Sequence, residues 1–486
     1  MRWLTQWLTA LLVGLGGTVA ALAQPTALCD YQVTLLDARA SALDIVVDCP
    51  GQEALTFGGQ RGFRAAFVSD FEGLDETRVR AIGGAWIVAG EAGSLRFRYR
   101  FELDQAAAEA AMPDVAQRVG DSVVATLPTW LAAPQRTAGR LSLGFGLPEG
   151  AAFASALVWS DGRYWLDNET VWSGGYVAFG RLRTAELTLP GPVSLGPAGQ
   201  RRPPAALRLA RLDGPLDLLQ DELEQWVSRS AAIVADYYRG FPVEQGLLVV
   251  VPVPGRSGVV FGRVIGGGGG AVMLQVGQRT TVEQAYDAWV LVHELLHLGQ
   301  PFLGNAFWLM EGIATYSEPV LRARAGWLSP EEVWEEFGRG MPRGLDGVAR
   351  QGLANVSARG VYWGGALMML LADIEIRRLT GGQRGLEHCL RGLIAAGGVA
   401  SVRWDTARAI AACDAAVGRD VLARLAERHV YDATPVDLPD LWRQLGVRFD
   451  ERGRASFDDS APLASIRAQI TAPDPASPLP LPPLRN

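Results

Sequence analysis

Over about 31–104 the chain alternates polar and apolar residues, or runs apolar, in short stretches: YQVTLL, LDIVVDC, RAAFVS, AWIVAG and SLRFRYRFEL, with Gly, Asp and Pro between them. A period of two broken in this way predicts β-strands with one buried face, and their succession predicts a sandwich. A helical patch over 104–119 interrupts the series before RLSLGFGL, SALVWS, GYVAFGRL and AELTLP carry it to about Pro190. Trp130, Trp159, Trp165 and Trp172 fall in or between these runs and read as core or sheet-face residues. The stretch 191–204, with its GP, GPAG and RRPP, reads as the loop between domains.

Around Pro215 the period changes. DLLQDELEQWVSRSAAIVADYYRGF places apolar residues at helical spacing and stops at Gly240, a natural C-terminal cap. GLLVVVPV and GVVFGRVI then read as strands, followed by the glycine run 266–270 and AVMLQVG. Such a run is either a loose loop or a place where backbone must approach another chain closely. On the second reading Gly268, Gly269, Gly270 and Ala271 belong to an edge that pairs with an extended substrate peptide. Beyond it the pattern is mostly α. Ser329-Pro330-Glu331-Glu332 is a helix start, and GVYWGGALMMLLADIEIRRL, SVRWDTARAIAAC and GRDVLARLAERHVY continue as helices. The expected fold is therefore α+β. It comprises a β-rich domain over 24–205, a mostly α domain with a small sheet over 206–435, an extension over 436–470 and a proline-rich, disordered tail over 471–486.

Within WVLVHELLHLGQPFLGNAFWLMEGIATYSEP, His293, Glu294 and His297 spell H-E-x-x-H on a helix that is apolar nearly all round. Residues four apart lie on one helix face, roughly 6 Å apart, so both imidazoles can aim at one point. Buried imidazoles and a carboxylate need partners, and a metal supplies them. Glu294 is then placed as general base toward a metal-activated water, and an acidic residue downstream completes a His₂Glu set. Glu311, in WLMEG, and Glu318, one residue before Pro319, both qualify. The local phrase W-x-x-E-G favours Glu311, which falls in the first turn of the next helix. Glu318, two turns further along that face, is then a partner that orients a ligand histidine. His388 and His429 show no partner pattern and read as structural or surface residues.

Composition narrows the context. The chain has 486 residues, a net charge of -7 and 20% charged residues, which gives no basic groove for nucleic acid. Arg2, an apolar run from Leu8 to Leu22 and Ala21-Leu22-Ala23 form a signal peptide with cleavage near Ala23, the alternative being an uncleaved N-terminal membrane anchor. No other stretch is long and apolar enough to span a bilayer. An exported protein can oxidise its four cysteines, and the most local of three connectivities joins Cys29 to Cys49 and Cys389 to Cys413.

With H-E-x-x-H, W-L-M-E-G-I-A and V-Y-W-G-G-A-L-M-M-L-L-A-D-I-E-I-R-R in view, the chain resembles the gluzincin metallopeptidases. It is most similar to the glycyl aminopeptidase family, M61, and more distantly to the M1 aminopeptidases. The resemblance is specific over about 218–393. It implies one Zn²⁺ per chain held by His293, His297 and Glu311, Glu294 as base, a peptide or protein substrate, and Tyr362, in a Y-x-x-G-A phrase, as donor to the oxyanion. The rival reading is a catalytically silent relative that binds an envelope or extracellular partner, with zinc purely structural. Three departures stand out: no glutamate follows the glycine run where M1 enzymes hold a free amino group, the C-terminal remainder is too short for a PDZ domain, and the loop between His297 and Glu311 is short.

Overall fold

A computed structural model of the chain describes residues 27–91, 93–110, 114–191, 204–266, 269–356 and 358–475. The signal segment 1–23, most of the predicted interdomain loop, Gly268 and the last part of the proline-rich tail lie outside them. No helix among the described residues is long and apolar enough to cross a membrane.

The first half is β-rich. A seven-stranded sheet has Cys29–Leu35 near its middle, antiparallel to Leu43–Pro50 and parallel to Arg140–Gly146. Cys29–Leu35 buries every second residue, so Tyr31, Val33 and Leu35 enter the core while Thr34 points away. A four-stranded sheet built on Tyr176–Gly180 and Ser122–Thr126 shares that core through Val123, Ala125, Val177 and Phe179. The Cys29–Cys49 disulfide joins two strands adjacent in the large sheet. The helix predicted over 104–119 is shorter than expected: Leu103–Ala110 is helical, and Ala116–Val119 already forms an edge strand of the smaller sheet. Trp130 is a core residue, whereas Trp159 is exposed.

The second half is a five-stranded sheet with helices packed on it. Its order is Arg183–Leu189, Ala205–Arg211, Gln245–Val253, Gly270–Gly277, Val259–Gly266. The first of these strands falls inside the β-rich domain as drawn from sequence, and the second begins at its last residue, so the five-stranded sheet starts near Arg183 rather than after 205. Alternation alone cannot say which sheet a strand joins, and these two pair with each other and then with Gln245–Val253. Gly270 and Ala271 likewise stand elsewhere than expected. They begin Gly270–Gly277, an interior strand flanked by Gln245–Val253 and Val259–Gly266. Of the two edge strands, the one beside Gly270–Gly277 is Val259–Gly266.

The glycine run does serve close approach, but to the protein itself. A Cβ on Gly269, whose φ is +136°, would lie 2.1 Å from the Ala156 carbonyl oxygen of the β-rich half, and one on Gly270 would lie 2.5 Å from the Leu298 side chain. Here Val124, Ala154, Tyr176 and Ala178 pack against Leu247, Val249, Ala271 and Met273, so the two halves share a buried seam.

Four long helices complete the framework, Gln220–Tyr238 and the three that cross one another, Phe307–Arg324, Pro330–Gln351 and Ala358–Thr380. Pro330–Gln351 starts as its sequence demands, with the Ser329 hydroxyl accepting from the Glu332 amide and Pro330 in the first turn. Cys389–Cys413 ties the following two helices, and the extension packs Leu438, Leu445, Ile466 and Ile470 into the same core. Where the three helices cross, backbone meets backbone. A Cβ on Gly312 would lie 2.5 Å from the Gly365 carbonyl carbon, one on Gly365 2.1 Å from the Trp308 carbonyl oxygen, and one on Gly344 2.1 Å from the Gly364 amide nitrogen. Because backbone is on the receiving side, no rotamer change relieves the overlap. Gly365→Ala is expected to lower unfolding stability by about 1–3 kcal/mol. Denaturant unfolding measures it, and an unchanged midpoint would refute the close crossing.

Candidate metal centre

Val290–His297 is a short helix, and all eight of its residues are buried. Val290, Leu291, Val292, Leu295 and Leu296 belong to the main core, which leaves His293, Glu294 and His297 to face inward toward a cleft. The end of this helix is held by Tyr238, whose hydroxyl donates to the Leu296 carbonyl oxygen at 2.9 Å. Gly299 makes that possible, since a Cβ there would sit 2.5 Å from the Tyr238 ring. The chain then turns back in nine residues and enters Phe307–Arg324, with a two-residue parallel pairing between Phe302–Leu303 and Arg403–Trp404 steadying the turn. Glu311 emerges just beyond the first turn of that helix.

The three residues converge. Glu311 Oε2 lies 3.3 Å from His293 Nε2 and 3.4 Å from His297 Nε2, and all three ligand atoms fall within 4.8 Å of one another. Arms of about 2.1 Å to a tetrahedral ion would separate neighbouring donors by about 3.4 Å, so the spacing fits zinc. The imidazoles stand nearly perpendicular at 4.9 Å between centroids. Both Nδ1 atoms are buried without a well-formed hydrogen bond among the described residues, and the Gln300 side chain lies beside His297.

Electrostatics follow from this crowding. Burial works against charge on Glu311, yet the hydrogen bonds and charges of His293 and His297 outweigh it and hold its carboxyl well below the usual range. His297 is pulled the other way: burial opposes its protonation, but the bond to Glu311, the charge of Glu294 and the Gln300 side chain raise it. For Glu294 burial dominates and raises its pKa, with the histidines opposing and Glu311 adding. No described side chain bonds to the Glu294 carboxylate.

Glu294 is placed by a glycine. A Cβ on Gly262, in the edge strand, would lie 2.6 Å from Glu294 Cγ and 2.6 Å from Val290 Cγ1, so the strand is pressed onto the motif helix. Tyr362 reaches in from Ala358–Thr380, its ring 6.3 Å from that of His293 and inclined by 21°. Burial, then the charges of Glu311 and Glu294, push its hydroxyl up to about 12, so it stays protonated as a donor at neutral pH. His293, Glu294, His297, Glu311 and Tyr362 all line one cleft of about 700 Å³.

Glu318 does not join them. Seven residues past Glu311 is about 10 Å along a helix, beyond the reach of the histidines. Its carboxylate instead meets Arg322 at 3.1 Å, and Arg322 also donates to the Tyr286 and Asp287 carbonyls. Burial pushes Glu318 up to about 8, with Arg322 pulling down and Glu336 pushing further. Its role is to tie the ligand helix to the segment before the motif. The short-range pattern also missed Gly262, Arg263 and Gln300, all of which line the cleft. An isolated glycine inside the strand run VVFGRVI was the available signal for the first.

If this is a metal centre, zinc stabilises the fold by linkage. At free zinc 100-fold above its dissociation constant the expected gain is about 2.7 kcal/mol. Thermal melting of chelator-treated chain with and without zinc reads it, and His297→Ala should abolish the shift. A wild-type melting curve indifferent to zinc would exclude the assignment.

No protein-family model matches the chain, and no curated protein matches it by sequence. Its fold has solved counterparts. It is similar to an aminopeptidase N family protein from Idiomarina loihiensis, with a TM-score of 0.65 at 12% identity over 86% of this chain and 78% of that one. It is also similar to an M1 zinc metallopeptidase from Deinococcus radiodurans, with a TM-score of 0.51 at 16% identity over 85% of this chain and 94% of the other. A variant of that enzyme has been solved bound to a Tyr-Ser-Ala substrate, and it matches with a TM-score of 0.51 at 15% identity over 85% and 95% of the two chains. At these identities the likeness establishes the two-part fold, a β-rich N-terminal domain followed by a helical domain.

Proposed function

We propose that the chain is an exported zinc metallopeptidase that hydrolyses peptide bonds, with one zinc per chain held by His293, His297 and Glu311. The observation that carries this reading is the convergence of those donors on the floor of an open cleft, beside a buried carboxylate that no other described side chain engages. A purely structural zinc is usually closed by four protein ligands, and here three side chains converge. That favours the enzyme over a silent relative. The peptide bound by the Deinococcus radiodurans variant supplies the substrate class by analogy of fold. Assignment to the glycyl aminopeptidase family rests on the W-L-M-E-G-I-A and Y-x-x-G-A phrases alone. Export rests on the segment ending at Ala23 and on two disulfides, which persist in oxidising compartments.

When bound, zinc supplies a Lewis acid that polarises a carbonyl and makes a water acidic near neutral pH. The rest falls to the chain. Glu294 takes a proton from the attacking water as the C–O bond forms, and delivers it to the amide nitrogen as the C–N bond breaks. Its raised pKa suits a group that must hold a proton and return it. The Tyr362 hydroxyl donates to the oxygen that gains negative charge, and it loses no proton itself. Gly262 and the buried walls of the motif helix keep Glu294 in place.

Glu294→Gln is expected to cut kcat/KM on a peptide library by at least about a hundredfold while one zinc per chain is retained, and Tyr362→Phe to cost about a hundredfold with little change in KM. Rates by mass spectrometry and zinc content by elemental analysis check both. If Glu294→Gln cleaves as the wild type does, the assignment of the base is wrong.

A further inference from the structure

The surroundings of the metal-donor triad bear on which part of a peptide is taken, an inference that rests on the peptidase reading above. Val260, Phe261, Trp289, Phe302, Phe307 and Tyr362 are large apolar side chains, each more than a third exposed, and all line this one cleft. Exposed apolar residues scattered singly mean little, but a contiguous set at a groove marks a binding surface. One wall is the edge strand Val259–Gly266, paired with Gly270–Gly277 on one side and with no other strand among the described residues. An extended chain can hydrogen-bond along such an edge.

Two polar residues sharpen the picture. Gln300 is only 2% exposed and lines the cleft beside His297, and among the described residues no well-formed hydrogen bond satisfies its amide nitrogen or oxygen. A carboxamide offers one donor group and one acceptor, the complement of a peptide unit, and burying it unpaired is unfavourable unless a ligand satisfies it. Arg263, in the edge strand itself, is the second. Its guanidinium is anchored by Asp114 of the β-rich half, which also accepts from the Tyr176 hydroxyl at 2.9 Å. Among the described residues the only carboxylates lining the cleft are Glu294 and Glu311, one given to proton transfer and one to the metal. A free α-ammonium entering here would be desolvated with no anion left to pair it and an arginine beside it.

We propose that the cleft takes the interior of an extended peptide, with apolar side chains flanking the scissile bond, and cuts it as an endopeptidase, Arg263 being the residue that disfavours a free amino terminus. Water adds across an internal amide, the new carboxylate and amine leaving on separate fragments. The test uses zinc-loaded full chain and decapeptides with apolar residues at the centre, each prepared with a free and with an acetylated amino terminus. The expected result is cleavage of the same internal bond in both forms, with kcat/KM equal to within about twofold. In Arg263→Glu the ratio of free to acetylated kcat/KM should rise by roughly tenfold, and in Arg263→Gln by less, melting curves reporting that each variant is folded. Release of single residues from free amino termini only, abolished by acetylation, would overturn the inference and leave the peptidase standing. An unmoved ratio in both folded variants would overturn the role of Arg263. No cleavage of any peptide would overturn the peptidase reading and this one with it.

Discussion

Three helices cross with backbone against backbone, and the geometry of the site depends on that crossing. Gly364 and Gly365 sit side by side in Ala358–Thr380, the first against Gly344 and the second against Gly312. Glu311 precedes Gly312, and Tyr362 stands three residues, about one turn, before Gly365. The crossing that brings the helices to backbone distance therefore also sets how far the carboxylate of one stands from the phenol of the other. A methyl group at either glycine would widen that gap from the centre of the core, where packing at near-crystalline density leaves no slack. The same device recurs where Gly262 meets Glu294 and where Gly299 meets Tyr238. Glu294, Glu311 and Tyr362 are thus each positioned by a close approach at a glycine.

Rigidity of this kind matters because the triad is electrostatically costly to assemble. Two imidazoles and the Glu294 carboxylate are buried together, with the Glu311 carboxylate half-buried against them. Glu311 keeps its charge against burial through the histidines, and Glu294 has no such partner, so one acid is depressed and the other raised. Two carboxylates in one pocket thereby take opposite characters, a fixed anion fit to be a ligand and a basic one fit to move protons. The difference is set by which of them the imidazole nitrogens face.

Much of this was legible in the sequence where a spacing had one physical meaning. H-E-x-x-H on an apolar helix admits little besides convergence of both rings, and W-x-x-E-G picked out Glu311, which the fold brings against them. Sequence-local cysteine pairs became the two disulfides. Elsewhere one pattern served two structures. Strand Arg183–Leu189 alternates like those before it, and only its pairing with Ala205–Arg211, itself paired with Gln245–Val253, places it in the five-stranded sheet. The glycine run announced a close approach without naming what approaches, and the approach is to Ala156 and Leu298. Glu318 shares a helix face with Glu311, but same-face spacing carries no information about reach. Arg322, four residues on, was the nearer partner for its carboxylate. Gly312, Gly344, Gly364 and Gly365 escaped notice because a glycine inside a helix reads as a weakness until the neighbouring helix is known.

The edge strand Val259–Gly266 explains why the β-rich half accompanies the helical one. A bare edge beside an active site would be free to twist away or to pair with other chains. This one is fixed on its inner face by Gly262 against the motif helix, and on its outer side by Arg263 reaching Asp114. Asp114 is itself fixed by Tyr176, whose neighbour Gly175 lies so close to Ala271 that a Cβ would stand 2.7 Å from it. The β-rich half thus presses on the interior strand and holds the edge strand through the only cationic side chain among the described cleft residues, other than the histidines. Its contribution to the cleft is positional and electrostatic: it holds the edge strand that forms one wall, and it pairs the guanidinium which that wall presents.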